Sequence, residues 1–206
     1  MTGGRIRGAA PLLLAVVMAM SSSPARAQVT SEPVSPYPDP RKFAHGLFGE
    51  GEAGTVGFVG SAAAAVGPGV AVGGRFGYEV FRWLALQVHA IGSTHTTKFA
   101  DSPQAGQLLQ LYQGIAELRL TLPLGRVGIS VVGGVGLARL STNVLGTAGF
   151  TDPDVKRSGV YSGGASVDYH SLSRHFSFGL VAAFAKYPSV HTSGAVNAGA
   201  YVRYTF

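Results

Sequence analysis

Apolar and polar residues alternate at every second position through most of the chain beyond residue 43, the period of an extended strand and not of a helix. Residues 194–206 show it best. Val196, Ala198, Ala200, Val202, Tyr204 and Phe206 fall on one side, and Ala195, Asn197, Gly199, Tyr201, Arg203 and Thr205 on the other. One side can meet hydrocarbon, whereas the other cannot do so cheaply. Alternation over roughly 9 to 11 residues is what a tilted membrane-spanning strand requires.

Seven earlier segments carry the same pattern. Residues 44–56 place Phe48, Glu50 and Glu52 on one face, and the carboxylates fix that face as the inner one. Residues 70–80 send Val70, Val72, Phe76, Tyr78 and Val80 outward and Arg75 and Glu79 inward. Residues 83–93 alternate Leu84, Leu86 and Val88 with Gln87 and His89. In 107–122, Tyr112, Ala116, Leu118 and Leu120 oppose Gln113, Glu117, Arg119 and Thr121, although Leu109 and Leu111 blur the pattern at one end. Residues 127–140 pair outward Val and Ile with inward Gly and Ser. Residues 157–170 set Tyr161, Val167 and Tyr169 against Ser162, Ser166 and Asp168, and residues 175–185 present Phe176, Phe178, Leu180 and Phe184 on one face. Short connections (81–82, 123–126, 171–174) alternate with longer ones (57–69, 94–106, 141–156, 186–193). The tetra-alanine at 62–65 is too short to expect a helix from propensity.

Eight such strands predict an all-β fold: an antiparallel up-and-down barrel that spans a membrane, with both termini on the side of the short turns. Closing the first strand on the eighth satisfies every edge, as a bilayer demands where no water can hydrogen-bond an open strand. Abundant glycine lets strands curve and leaves room for large neighbours in a narrow interior. Beyond the amino-terminal run, no stretch approaches about 18 consecutive apolar residues, so membrane-spanning helices are not expected.

The amino terminus has its own signature. Arg5 and Arg7 precede the apolar run 9–20, and Ala25-Arg26-Ala27 forms a small-x-small cleavage site. The reading is a secretory signal peptide over 1–27, a flexible proline-containing lead-in over 28–42 and a barrel over 43–206. Loss of Arg5, Arg7 and Arg26 would leave 13 basic against 10 acidic residues, reducing the formal charge from +6 to +3. So small a scattered excess does not suggest nucleic acid. The sequence has no Cys, hence no disulfide, thiolate nucleophile or Cys metal site.

The pattern resembles small eight-stranded bacterial outer-membrane barrels of the OmpA transmembrane-domain, OmpX and OmpW type, which implies residence in the bacterial outer membrane among its lipids. The carboxy-terminal Val202, Tyr204 and Phe206 resemble the assembly signal that such barrels present to the barrel assembly machinery during biogenesis. No segment matching the peptidoglycan-binding domain of full-length OmpA-like proteins accompanies the barrel, so a cell-wall tether is not expected. Inside, Glu50, Glu52, Arg75, Glu79, Glu117, Arg119, Asp168 and Arg203 should pair across a lumen barely wide enough to hold them. His89 and His170 read as hydrogen-bonded lumen or rim residues, with no metal or cofactor expected.

An enzymatic reading would rest on His191 and Ser193. Their His-x-Ser spacing resembles that of lipid A deacylases, whose imidazole is oriented by a downstream acid. Gly194 stands where that family has Asn, and no Asp or Glu follows Asp168, so Asp154 or Asp168 would have to reach the site from elsewhere. The expectation is therefore a non-enzymatic structural or docking barrel, with an envelope protein as its partner. A narrow porin-like channel for small solutes is the alternative, and a lipid A-modifying hydrolase the remote one.

Overall fold

The computed structural model describes residues 46–98, 108–141, 156–171, 175–190 and 193–206. Eight strands form one closed, wholly antiparallel barrel in chain order: β1 (Leu47–Gly60), β2 (Gly69–Phe81), β3 (Leu84–Thr96), β4 (Leu108–Leu124), β5 (Val127–Leu140), β6 (Arg157–His170), β7 (Phe176–Lys186) and β8 (Ser193–Thr205). β8 returns to β1 in the register Phe48↔Thr205 to Gly60↔Ser193, and the Phe206 amide donates to the Leu47 carbonyl at 2.9 Å. The predicted signal peptide and lead-in lie outside the described residues.

The tight turns sit at Arg82–Trp83 and Gly125–Arg126. Gly125 adopts φ +68°, which a two-residue hairpin needs and glycine takes without strain. The start of β1 and the end of β8 lie at this turn end, and the longer connections gather at the other, the loop end. Val70, Val88, Leu86, Val135, Leu137, Tyr161 and Leu180 all point outward and are exposed. Apolar surface on that scale around a whole barrel marks a membrane-facing wall.

The bounds of β5 and β6 coincide with the sequence expectation, and four corrections apply elsewhere. β1 continues past residue 56 because β8 offers partners as far as Ser193, so Phe58 enters the barrel instead of a loop. β3 runs on to Thr96, paired with Leu108, although 94–96 read as loop. β4 extends through Pro123 to Leu124, which confines the next turn to Gly125–Arg126.

The fourth concerns the tetra-alanine, which forms a one-turn helix, α1 (Ala62–Ala65). Propensity does not hold it. The Lys98 amide donates to the Ala65 carbonyl at 2.9 Å, Lys98 Nζ to the Ala63 carbonyl at 3.1 Å, and Ala62 and Ala65 are buried against the barrel mouth. Tertiary contacts thus supply what four alanines cannot.

Candidate functional site

The lumen has two layers, and the polar one is built around Glu50. On β1 this residue stands directly opposite Arg75 of β2 and directly opposite Arg203 of β8. Arg75 Nη1 reaches Glu50 Oε1 at 2.7 Å, and Arg203 Nε reaches Oε2 at 3.0 Å. Arg119 crosses from β4 and donates through Nη1 and Nη2 at 3.2 and 3.3 Å. Three guanidiniums therefore converge on one carboxylate, each group almost wholly out of water. Such convergence stabilises only where geometry answers the cost of desolvation.

Two further carboxylates flank this hub. Glu52 meets Arg75 Nη1 at 2.5 Å and accepts from Asn197 Nδ2 at 2.8 Å. Glu117 accepts from Gln87 Nε2 at 2.6 Å and Arg75 Nε at 3.3 Å. His89 lies between them, with Nδ1 3.2 Å from Glu117 and Nε2 3.3 Å from Glu52. Towards the turn end, Asp168 accepts from Tyr201 Oη and from Ser130 Oγ, and Glu79 pairs with Arg203 Nη1 at 3.0 Å. Arg203 also lies over the Phe48 ring, 4.5 Å from its centroid, and Arg119 over that of Tyr201 at 5.5 Å. All eight charged residues singled out from the sequence face this layer, and His170 is half-buried at its turn-end border.

Above it the lumen turns apolar. Val56, Phe58, Ile91, Leu109, Leu111, Ile115, Leu140, Val160, Tyr187 and Val190 pack together with α1 across the loop end. Leu109 and Leu111 blurred the sequence pattern because they point inward, where they are fully buried. Counting by twos from Glu117 through Ile115 and Gln113 would have placed them there. Between the layers lies a space of about 20 Å³, lined by His89, Gln113, Glu117, Ser162, Tyr187 and Asn197 among others. It has room for about one water molecule. Burial pushes the Tyr187 phenol well above its usual range, so it stands there as an uncharged hydroxyl.

No protein-family model matches the sequence, and no curated protein matches it either. Among solved structures, the barrel is similar to Neisserial surface protein A, with TM-score 0.59 and 17% sequence identity over 79% of this chain and 99% of that chain. It is similar also to the outer membrane protein OprG from Pseudomonas aeruginosa, with TM-score 0.51 and 13% identity over 80% and 97% of the two chains. The chain has the fold of a small eight-stranded outer-membrane barrel. At such identities this barrel's chemistry must be read from its own residues.

Several of those residues were not singled out from the sequence as parts of the network, although their faces were. Tyr201, Asn197, Gln87 and Ser130 complete the hydrogen bonding of the carboxylates, and only strand register shows which carboxylate each one meets. His95, expected in a loop, is buried, bonded to Ser93 Oγ at 2.8 Å and to the Gly67 carbonyl at 3.0 Å. The carboxy-terminal Val202, Tyr204 and Phe206 all face outward, and Tyr204 stands edge-on to Phe176 and Phe206, each at 5.0 Å between ring centroids. His191 lies outside the described residues, as do loop positions 99–107 and 142–155, and the Ser193 side chain is likewise not described.

Proposed function

We propose that this chain is a non-enzymatic structural or docking barrel of the bacterial outer membrane, with a filled lumen that carries no solute. The observation behind this reading is the stacking of two layers across one narrow interior. The charged layer spends its guanidiniums on its own carboxylates, and the apolar layer above offers a hydrated ion nothing to replace its water shell. Likeness in fold to outer-membrane proteins, together with the export signature of residues 1–27, supports the location. The outward Val202, Tyr204 and Phe206 edge supports recognition by the barrel assembly machinery. With its wall given to lipid, the barrel has only its turns, lead-in and loops left to meet an envelope protein, which is the partner we propose.

Planar-bilayer recording of the refolded chain, alongside cross-linking in native membranes, tests this. The expected result is no stable conductance and a reproducible cross-linked envelope partner. A large, steady conductance abolished by substituting Arg75 or Glu117, with the barrel recovered alone from the cross-linking, would replace docking with a porin-like role.

A further inference from the structure

The charges of the barrel are sorted by side. Among the described residues, all five carboxylates (Glu50, Glu52, Glu79, Glu117 and Asp168) face the lumen, and none of them pairs with a cation on the outer wall at the loop end. Yet Arg139 of β5 and Arg157 of β6 are register partners, both pointing outward and both exposed at the loop end. Lys156, next in the chain, is exposed beside them. Residues directly opposite in an antiparallel pair carry their Cβ atoms about 5 Å apart, and like charges so placed repel. No ion pair relieves either arginine among the described residues.

Their height on the wall limits what could relieve them. Leu137, two residues before Arg139 on the same face, is 72% exposed, the most of any large apolar residue described, and Val135 follows below it. Beside the pair, Tyr112 stands opposite Arg139 in the neighbouring strand, exposed and outward. An apolar band that gives way to tyrosine and then to cations is the boundary between hydrocarbon and headgroups. Two guanidinium forks at that height suit a phosphate monoester, whose oxygens accept bidentate, charge-assisted bonds from both.

We propose that Arg139 and Arg157 form a docking site for the phosphate of a lipid headgroup in the leaflet at the loop end, with Lys156 adding positive charge. The inference rests on the barrel lying in a membrane and not on its having a protein partner. A lipid supplies what the geometry requires: an anion held at a fixed depth with its chains against Leu137 and Val135. It also removes the repulsion that the bare pair carries.

The test is native mass spectrometry of the full chain titrated in neutral detergent with phosphatidic acid, phosphatidylcholine or inorganic phosphate. Phosphatidic acid should be retained most tightly, and R139Q/R157Q should weaken it by about tenfold or more, the loss of one or two charge-assisted bonds. R139K/R157K, which keeps charge but loses the forks, should fall between. R82Q/R126Q, which removes cations at the turn end, should leave the tight class intact. In lipid-free detergent R139Q/R157Q should melt no lower than wild type, since it removes a repulsion. A fall in melting temperature there would overturn the proposal by showing that the chain's own groups, such as Asp152 or Asp154, already answer the pair. Unchanged retention in R139Q/R157Q, or equal retention of phosphatidylcholine, would overturn it too. Inorganic phosphate bound as tightly as the lipid would replace it with a free-anion site. Failure of the wild type to enter vesicles at all would strike the membrane setting itself, a result separable from each of these.

Discussion

Replacing Glu50 by Gln separates two accounts of what stabilises the lumen. By formal charge, the described lumen holds five carboxylates against three guanidiniums, so losing an anion moves it toward balance. By local pairing, the same change is severe. Arg75 keeps Glu52 and Glu117, and Arg203 keeps Glu79 at 3.0 Å. Arg119 keeps no carboxylate within ion-pair distance among the described residues, and it is 0% exposed. Removing one partner of a buried pair costs about 3–5 kcal/mol, because the survivor stays charged and out of water. Glu79→Gln is the control: its side chain, 18% exposed, is the least buried of the five carboxylates, and Arg203 still keeps Glu50 at 3.0 Å, so no guanidinium is stranded and the loss should be smaller.

Urea unfolding in phosphatidylcholine vesicles can follow Trp83, the only tryptophan of the chain, which lies at the turn end and stacks on Phe81 with centroids 5.5 Å apart. E50Q should lose clearly more than E79Q at unchanged slope. Adding Arg119→Met should restore part of the loss, since removing both charges is milder than stranding one. An E50Q barrel no less stable than E79Q would refute pairing and favour overall charge.

Two further outcomes are expected. A Cβ on the inward Gly136 would run into the backbone of Gly114 and Ile115, whereas on the outward Gly51 it would meet nothing within 4 Å. G136A should therefore cost about 1–3 kcal/mol and G51A stay within about 0.5 kcal/mol, measured by the same unfolding assay. A membrane-impermeant maleimide applied to intact cells should label a cysteine introduced at Thr147 but not one introduced at Ser171; the reverse pattern would invert the assigned orientation.

Strand faces were legible because a carboxylate or guanidinium facing hydrocarbon is so costly that one charge fixes a whole strand. Glu50 did this for β1, whose outward side, rich in glycine, offered no apolar signal. The apolar layer was not legible for the mirror-image reason. An apolar side chain is welcome on either side of the wall, so Leu109 and Leu111 looked like errors of register instead of core. Helix α1 could not be read either, because two of the hydrogen bonds that anchor it come from Lys98, far along the chain. The facing of Arg139 and Arg157 needed the β5–β6 register, and no pattern within one strand contains it.

Register also explains why the barrel closes as it does. An eight-stranded sheet must seal its last strand on its first, and these two are the farthest apart in sequence, so the pairing gains least from a local turn. Glu50 lies opposite Arg203 across that seam and opposite Arg75 across the other edge of β1. Slipping β1 by one residue would turn Glu50 and Glu52 out of the barrel and leave three arginines inside without them. Such a slip is far costlier than any mismatch among the outward glycines and alanines of the same strands. Arg119 adds a constraint that no pair of neighbouring strands could supply, since it reaches the same carboxylate from β4. The apolar layer covers this network on the loop-end side, and in the lower dielectric of such surroundings each of these pairs is stronger. A lumen so arranged specifies closure, and opening it to solutes would weaken the contacts that select the seam.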